Sequence, residues 1–179
     1  MLDVPTPYQC EQLRTGRIDL GIAHAFPGLV DHPSIAAVRL VADHLVCALV
    51  AASHPLAARP WLTGPDLADL PFLFMPRSFH PPFHDAVMEA FDGIGLLPRV
   101  ESTFDGLRTV WTLAAEGVGW ALGAHSEQEH PPAGVASIPI QGLEIPWGLE
   151  LLWRKDEADD AHLSVLDLLR NQGTPTGTA

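Results

Sequence analysis

The chain has 179 residues, 47% of them apolar and 18% charged, which is enough to bury a core in one large domain or in two small lobes sharing a cleft. Its 22 acidic and 10 basic residues leave a formal charge of −12 with no basic cluster, so these residues lack the grouped cations that nucleic-acid phosphates require. No apolar run approaches the roughly 18 residues that span a bilayer, and the start "MLDVPTPYQC" has neither a basic region nor an apolar signal core, so the expected compartment is the cytoplasm. Cys10 and Cys47 are far apart and form no CxxC, which predicts free, mostly buried thiols rather than a disulfide or a thiolate zinc site.

In chain order, "PYQCEQLRTG" reads as a short helix stopped by Gly16, and "RIDLGIA" (17–23) as a strand with Ile18, Leu20 and Ile22 on one face. "SIAAVRLVADHLVCALVAA" (34–52) is too long for an ordinary strand. It reads either as two strands meeting near Ala42 and Asp43 or as one strand passing between lobes. "ASHPLA" is a turn, "LTGPDLADL" a helical turn that Thr63 can cap, and "PFLFM" (71–75) a fully apolar strand.

"PPFHDAVMEAFDGIG" predicts a helix with Phe83, Val87, Met88 and Phe91 on one face, prolines in front, and Gly93 and Gly95 behind. "RVESTF" is a strand, and "DGLRTVWTLAAEGVG" a second helix with Leu107, Val110, Trp111 and Ala114 in its stripe. "VGWALG", "GVASIPI" and "WGLELLWR" are strands. "DEADDAHLSVLDLLRNQ" is a last helix with acids in its first turn, followed by a disordered tail (172–179). The alternation over 71–123 predicts a parallel α/β sheet with right-handed crossovers, where ligands bind beyond the strands' carboxyl ends.

"PRSFHPPFHD" (76–85) tests that rule, because His80 and His84 stand four apart with Asp85 as a third potential metal ligand. His80 precedes two prolines and is biased away from helical angles, and Asp85 points about 100° from His84 on a helix. No metal site is therefore expected, and no cofactor. No nucleophile elbow, zinc-protease, phosphate-loop or dinucleotide motif is present, so the chain is not expected to be an enzyme. Instead, backbone N–H groups at the helix start near Pro81, with Ser78 and Arg77, predict a carboxylate cradle. Phe79 and His80 lie in the same turn, and His84 is expected on the helix surface. Ser102 and Thr103 end a strand and can cap the next helix or face a ligand. Phe104 can add an apolar wall, as can Phe26, and Gly123 and Ala124 can line the site with backbone.

In this order "LRTGRIDLGIA", "VRLVADHLVCALVAASHPLA", "LTGPDLADLPFLFMPR", "TLAAEGVGWALG", "GVASIPI" and "LELLWR" resemble the effector-binding domain of LysR-type transcriptional regulators over about residues 11–170. The resemblance implies a two-lobed α/β fold of the periplasmic-binding-protein type 2 kind, with crossing strands and a small molecule between lobes. Carried over, the first lobe is 1–41 plus 142–171 and the second 42–141. It also places His24, Ala25 and Phe26 in the cleft of the first lobe, and makes Trp111 a candidate for a dimer interface.

The family's helix-turn-helix is not in this chain, and Met1 falls after the strand and helix that open such domains. That predicts an incomplete first lobe with an exposed sheet edge, and self-association into a homodimer or larger oligomer. The expected partner is a small-molecule effector, with no direct nucleic-acid contact and no membrane. The rival readings are a solute-binding protein of a transporter, which would need an export signal, and a truncated module that pairs with intact regulators.

Overall fold

The Val-, Leu- and Ala-rich stretch forms a single strand, β2 (Ile35–Ala51). Its last five residues are buried on both faces, as expected of a strand inside a core, whereas Val41 and Ala42 are exposed. The computed structural model describes residues 6–25, 32–103 and 107–157. The chain divides into two compact units, one ending at Ala42 and resuming at Gly148, the other spanning Asp43–Trp147. Both crossings therefore fall within strands, β2 and β7 (Ile145–Arg154).

The return crossing lies at Gly148 rather than after residue 141, and the backbone there explains its place. Gly148 has a φ of +142°, open to glycine alone, and a Cβ on it would sit 2.1 Å from the Val41 carbonyl oxygen. Any other residue would push the two chain segments apart.

In the first unit, α1 (Thr6–Arg14) stops at Gly16, whose φ of +68° suits a helix end. Leu13 and Gln9 are buried beneath the helix, and Gln9 Nε2 donates to the Ile22 carbonyl at 2.8 Å, tying α1 to β1 (Leu20–His24). β1 pairs antiparallel with β7, from Leu20 opposite Trp153 to His24 opposite Leu149. The sequence places this strand at 17–23; it begins three residues later, since Gly16 to Asp19 form the turn out of α1.

In the second unit, a 3-10 turn (Pro55–Ala58) is capped by His54, whose Nδ1 accepts the Leu56 N–H. α2 (Gly64–Leu67) follows, with the Thr63 N–H donating to Asp66 at 2.8 Å. Next come β3 (Pro71–Phe74), α3 (Pro81–Gly93), β4 (Arg99–Thr103), α4 (Leu107–Ala115), β5 (Ala121–Ala124), α5 (Ser126–Glu129) and β6 (Val135–Pro139). β3 and β4 are parallel, as the alternation of strand and helix predicts. Trp120 exchanges backbone hydrogen bonds with Pro71 and Leu73, which seats the lead into β5 on the other side of β3. β5 and β6 both pair antiparallel with the buried half of β2.

The four-residue spacing of Phe83, Val87 and Phe91 puts all three on the buried face of α3. Phe91 meets Phe72, which stacks on Trp120 at 4.4 Å and on Phe74 at 4.9 Å. Each ring removed from water contributes roughly 2 kcal/mol. On α4, Val110 and Ala114 are buried with Cys47, Leu49, Leu73, Ala121 and Val135, and Trp111 packs against this cluster. Burial pushes the Cys47 thiol up to about 11, so it is an inert core group. The helix expected from residue 156 and the tail after it lie outside the described residues, apart from a 3-10 turn at Lys155–Glu157. Among the described residues no helix is long and apolar enough to cross a membrane.

Candidate functional site

At the carboxyl end of β3 the chain turns through Met75 to His80 into α3, with the Phe79 N–H closing the turn on the Pro76 carbonyl at 2.9 Å. Arg77 and Ser78 are exposed at the tip, and Phe79 is half-buried. His80 is buried and caps α3: its Nδ1 accepts the Phe83 N–H at 3.2 Å, and its carbonyl accepts the His84 N–H at 3.0 Å. Pro81 and Pro82 have no N–H to offer.

The first turn of α3 therefore has no donor left for a ligand, contrary to the expected cradle of backbone N–H groups. Two positions lack the donor chemically, and the imidazole of His80 takes the next. To accept that bond Nδ1 must be unprotonated, and burial pushes His80 toward the neutral form.

Arg77 forms a two-pronged pair with Asp85, Nε to Oδ1 at 2.7 Å and Nη2 to Oδ2 at 2.6 Å. The Arg77 guanidinium holds the Asp85 carboxyl below its ordinary value. His84 is not on the open helix surface as expected. Its side chain is 17% exposed, its ring lies 5.4 Å from Phe74, and its Nδ1 is 3.5 Å from Asp85.

The turn after β5 is built differently. Glu127 accepts the Ala124 N–H, and Asp43 accepts the N–H groups of His125 at 3.2 Å and Ser126 at 3.3 Å, besides that of His44 at 2.7 Å. Three successive backbone donors thus meet carboxylates of the chain itself, His125 sharing its N–H with the His44 carbonyl at 2.9 Å. Burial pushes the Asp43 carboxyl up, but the hydrogen bonds from Ser126, His44 and His125 outweigh it and keep it below its usual range. Burial, aided by the charge of Asp43, pushes Glu127 up. Gly123 belongs to this region for reasons of space: a Cβ on it would come within 2.8 Å of Cys47 Sγ and 2.9 Å of Leu49.

Ser102 and Thr103 pair through their backbones with Leu73 and Phe74, so the end of β4 and the β3–α3 turn share one edge of the parallel pair. Arg77, Ser78, Phe79 and His80 follow β3 in the turn that leaves this end of the pair. In the first unit, His24 ends β1, and its N–H donates to Thr6 Oγ1 at 3.3 Å. Burial pushes its imidazole toward the neutral form. Phe26 and Phe104 lie outside the described residues. Among the described residues no group of three His, Cys, Asp or Glu side chains is arranged to hold a metal ion.

Sequence reasoning missed Asp43 and Glu127. Asp43 carried a signal, as the one acid within the apolar 34–52 stretch. Trp147, the last residue of the second unit, places its ring 5.2 Å from Phe83 in the first turn of α3.

Comparison with known proteins gives these turns a setting. Residues 3–174 match the family model described as LysR substrate binding domain. The HTH-type transcriptional regulator TtuA of Agrobacterium vitis is 26% identical over 164 residues, covering 88% of this chain and 52% of that protein. IlvR of Caulobacter vibrioides is 27% identical over 176 residues, covering 97% of this chain and 57% of the regulator. The chain thus spans about half the length of the curated relatives it matches. Among solved structures, the effector binding domain of a BenM variant superposes with a TM-score of 0.74 at 26% identity, covering 94% of this chain and 77% of that one. The BenM effector binding domain with its effector benzoate gives 0.71 at 24%, covering 99% and 82%, a likeness of fold. With nearly its whole length matched by the family model and its fold shared with effector-binding domains, this chain belongs to the LysR substrate-binding domain family.

Proposed function

We propose that the chain is the effector-sensing part of a LysR-type transcriptional regulator and acts by binding a small molecule rather than by catalysis. The observation that carries this reading is the family match over residues 3–174 on a two-unit α/β chain. The ligand is a carboxylate with an apolar or aromatic body. The exposed Ser78 and Arg77 would meet its polar end and Phe79 its body, with His24, Phe26, Ser102, Thr103, Phe104 and Gly123 as further proposed lining.

In the intact regulator, ligand binding shifts the domain between two states that hold the ligand with different affinity, and attached DNA-binding modules read out that shift. This part makes no nucleic-acid contact of its own, in keeping with its charge of −12. It works in the cytoplasm as a homodimer or larger oligomer.

A thermal melt against aromatic and aliphatic carboxylates tests the reading. A ligand present at a hundredfold its Kd stabilises the folded state by about 2.7 kcal/mol, which such a melt resolves. A concentration-dependent rise with at least one carboxylate supports sensing. No rise with any of them, in a chain that melts cooperatively, removes it. Elution as a strict monomer at micromolar concentration removes the oligomer.

A further inference from the structure

The donors around the two turns of the second unit differ in whether their present partners can be exchanged. The N–H groups of Ala124, His125 and Ser126 are held by Glu127 and Asp43, and the first turn of α3 is closed by prolines and by His80. Arg77 is also occupied, by Asp85, but on other terms. The side chains of the pair are 62% and 51% exposed, so water can take over either partner at little cost. The guanidinium presents a planar fork that fits any carboxylate equally well. It stands next to Ser78, beyond the carboxyl end of a strand in a parallel pair, where ligands of open α/β sheets bind. Asp85, once released, still has His84 Nδ1 beside it at 3.5 Å.

We propose that Asp85 is an internal competitor for the ligand: it occupies Arg77 in the free domain and yields it to the carboxylate of the effector, setting both affinity and the preference for carboxylates over neutral isosteres. The inference rests on the sensing reading above and adds a named specificity residue to it. An effector that lacks a carboxylate cannot displace Asp85 and gains nothing from Arg77. Replacing Asp85 by an amide weakens the competitor without changing its shape, so the ligand no longer works against it.

The test compares benzoate with benzamide and hexanoate with hexanamide by calorimetric titration of the full chain, as wild type, Asp85→Asn and Arg77→Gln. The pair is exposed, so both variants should melt with the wild type before ligand is added, which shows that they are folded. Asp85→Asn should bind the better carboxylate several-fold more tightly and its amide no differently. Arg77→Gln should bind acid and amide alike. If a carboxylate binds the wild type and Asp85→Asn leaves its affinity unchanged, the competitor role is overturned while sensing stands. If no probe binds any of the three proteins, the sensing reading fails, and the competitor with it.

Discussion

The β3–α3 and β5–α5 turns of the Asp43–Trp147 unit both set a carboxylate against hydrogen-bond donors, and they do so with opposite consequences. After β5 the donors are backbone N–H groups fixed by the fold, and the acceptors, Asp43 and Glu127, come from β2 and from the short helix beside it. Take the acceptor away and the donors stay where they are, facing whatever remains. After β3 the donor is a guanidinium on a long exposed stem. Take its partner away and the stem swings into water. The first arrangement builds the turn, and the second leaves a charge free to change hands.

The sharpest way to break the comparison is Asp43→Ala. It strips the acceptor from the N–H groups of His44 and Ser126 and one of two acceptors from that of His125, which keeps the His44 carbonyl at 2.9 Å. Hydrogen bonds to a charged acceptor contribute on the order of 1.5–3 kcal/mol each, and solvent reaches this half-buried site, so a total loss of about 2 kcal/mol is expected in denaturant unfolding. The pH dependence has a definite sign. A carboxyl held below its ordinary 3.8 adds stability above that value, and the gain is lost as pH falls from 3.8 through the lower folded value. Glu127, pushed up, works in the opposite sense and favours the folded state while protonated. The Asp43→Ala chain should therefore fall less steeply below 3.8 than the wild type, Asp66 and Asp85, which are also held low, keeping part of the slope. An Asp43→Ala chain as stable as the wild type would mean the β5–α5 turn is held by something else.

His80 sits between the two cases, a side chain acting as a fixed structural partner inside the exchangeable turn. An imidazole whose folded value lies below 6.5 contributes fully above 6.5, and the contribution fades as pH falls from 6.5 through the folded value, because the unfolded chain takes up the proton first. His24 is pushed the same way and adds to the same window. His80→Ala should cost about 1 kcal/mol at pH 7.5, as lost N-caps do. His80→Asn supplies an oxygen acceptor in place of Nδ1, and should keep that stability while flattening the decline between pH 6.5 and 5. A melt series over that range checks both, and an unchanged decline in His80→Asn would remove His80 from the account.

How much of this was readable beforehand follows from the range of each interaction. Period-four and period-two apolar spacing is local, so Phe83, Val87 and Phe91 announced α3, and the order of strands and helices carried the family resemblance. The prolines of "HPPFHD" correctly marked a helix start. The further step, that its N–H groups bind a ligand, ignored that proline has none and that the histidine in front can cap with its ring. Asp43 and Glu127 meet only because β5 and its following turn lie against β2, a pairing with no local trace in either segment. The return crossing escaped for a similar reason: what marks Gly148 is the Val41 carbonyl, from the other crossing strand.

The smallest expected effect is the one that gives the contrast its meaning. Asp85→Ala removes both hydrogen bonds to Arg77, at 2.7 and 2.6 Å the shortest side-chain pair of the β3–α3 turn, and geometry alone would rank it among the costly changes. Exposure ranks it otherwise. Both groups are solvated before and after, their attraction is screened, and ordering two long side chains offsets most of what remains. Its melting temperature should match the wild type within error, at low salt and at high salt alike. A clear loss of stability would show that Asp85 pins Arg77 as firmly as Asp43 pins its backbone donors. A ligand carboxylate would then have to break a structural contact to reach Arg77, and the distinction between a turn that is built and a turn that can exchange would collapse.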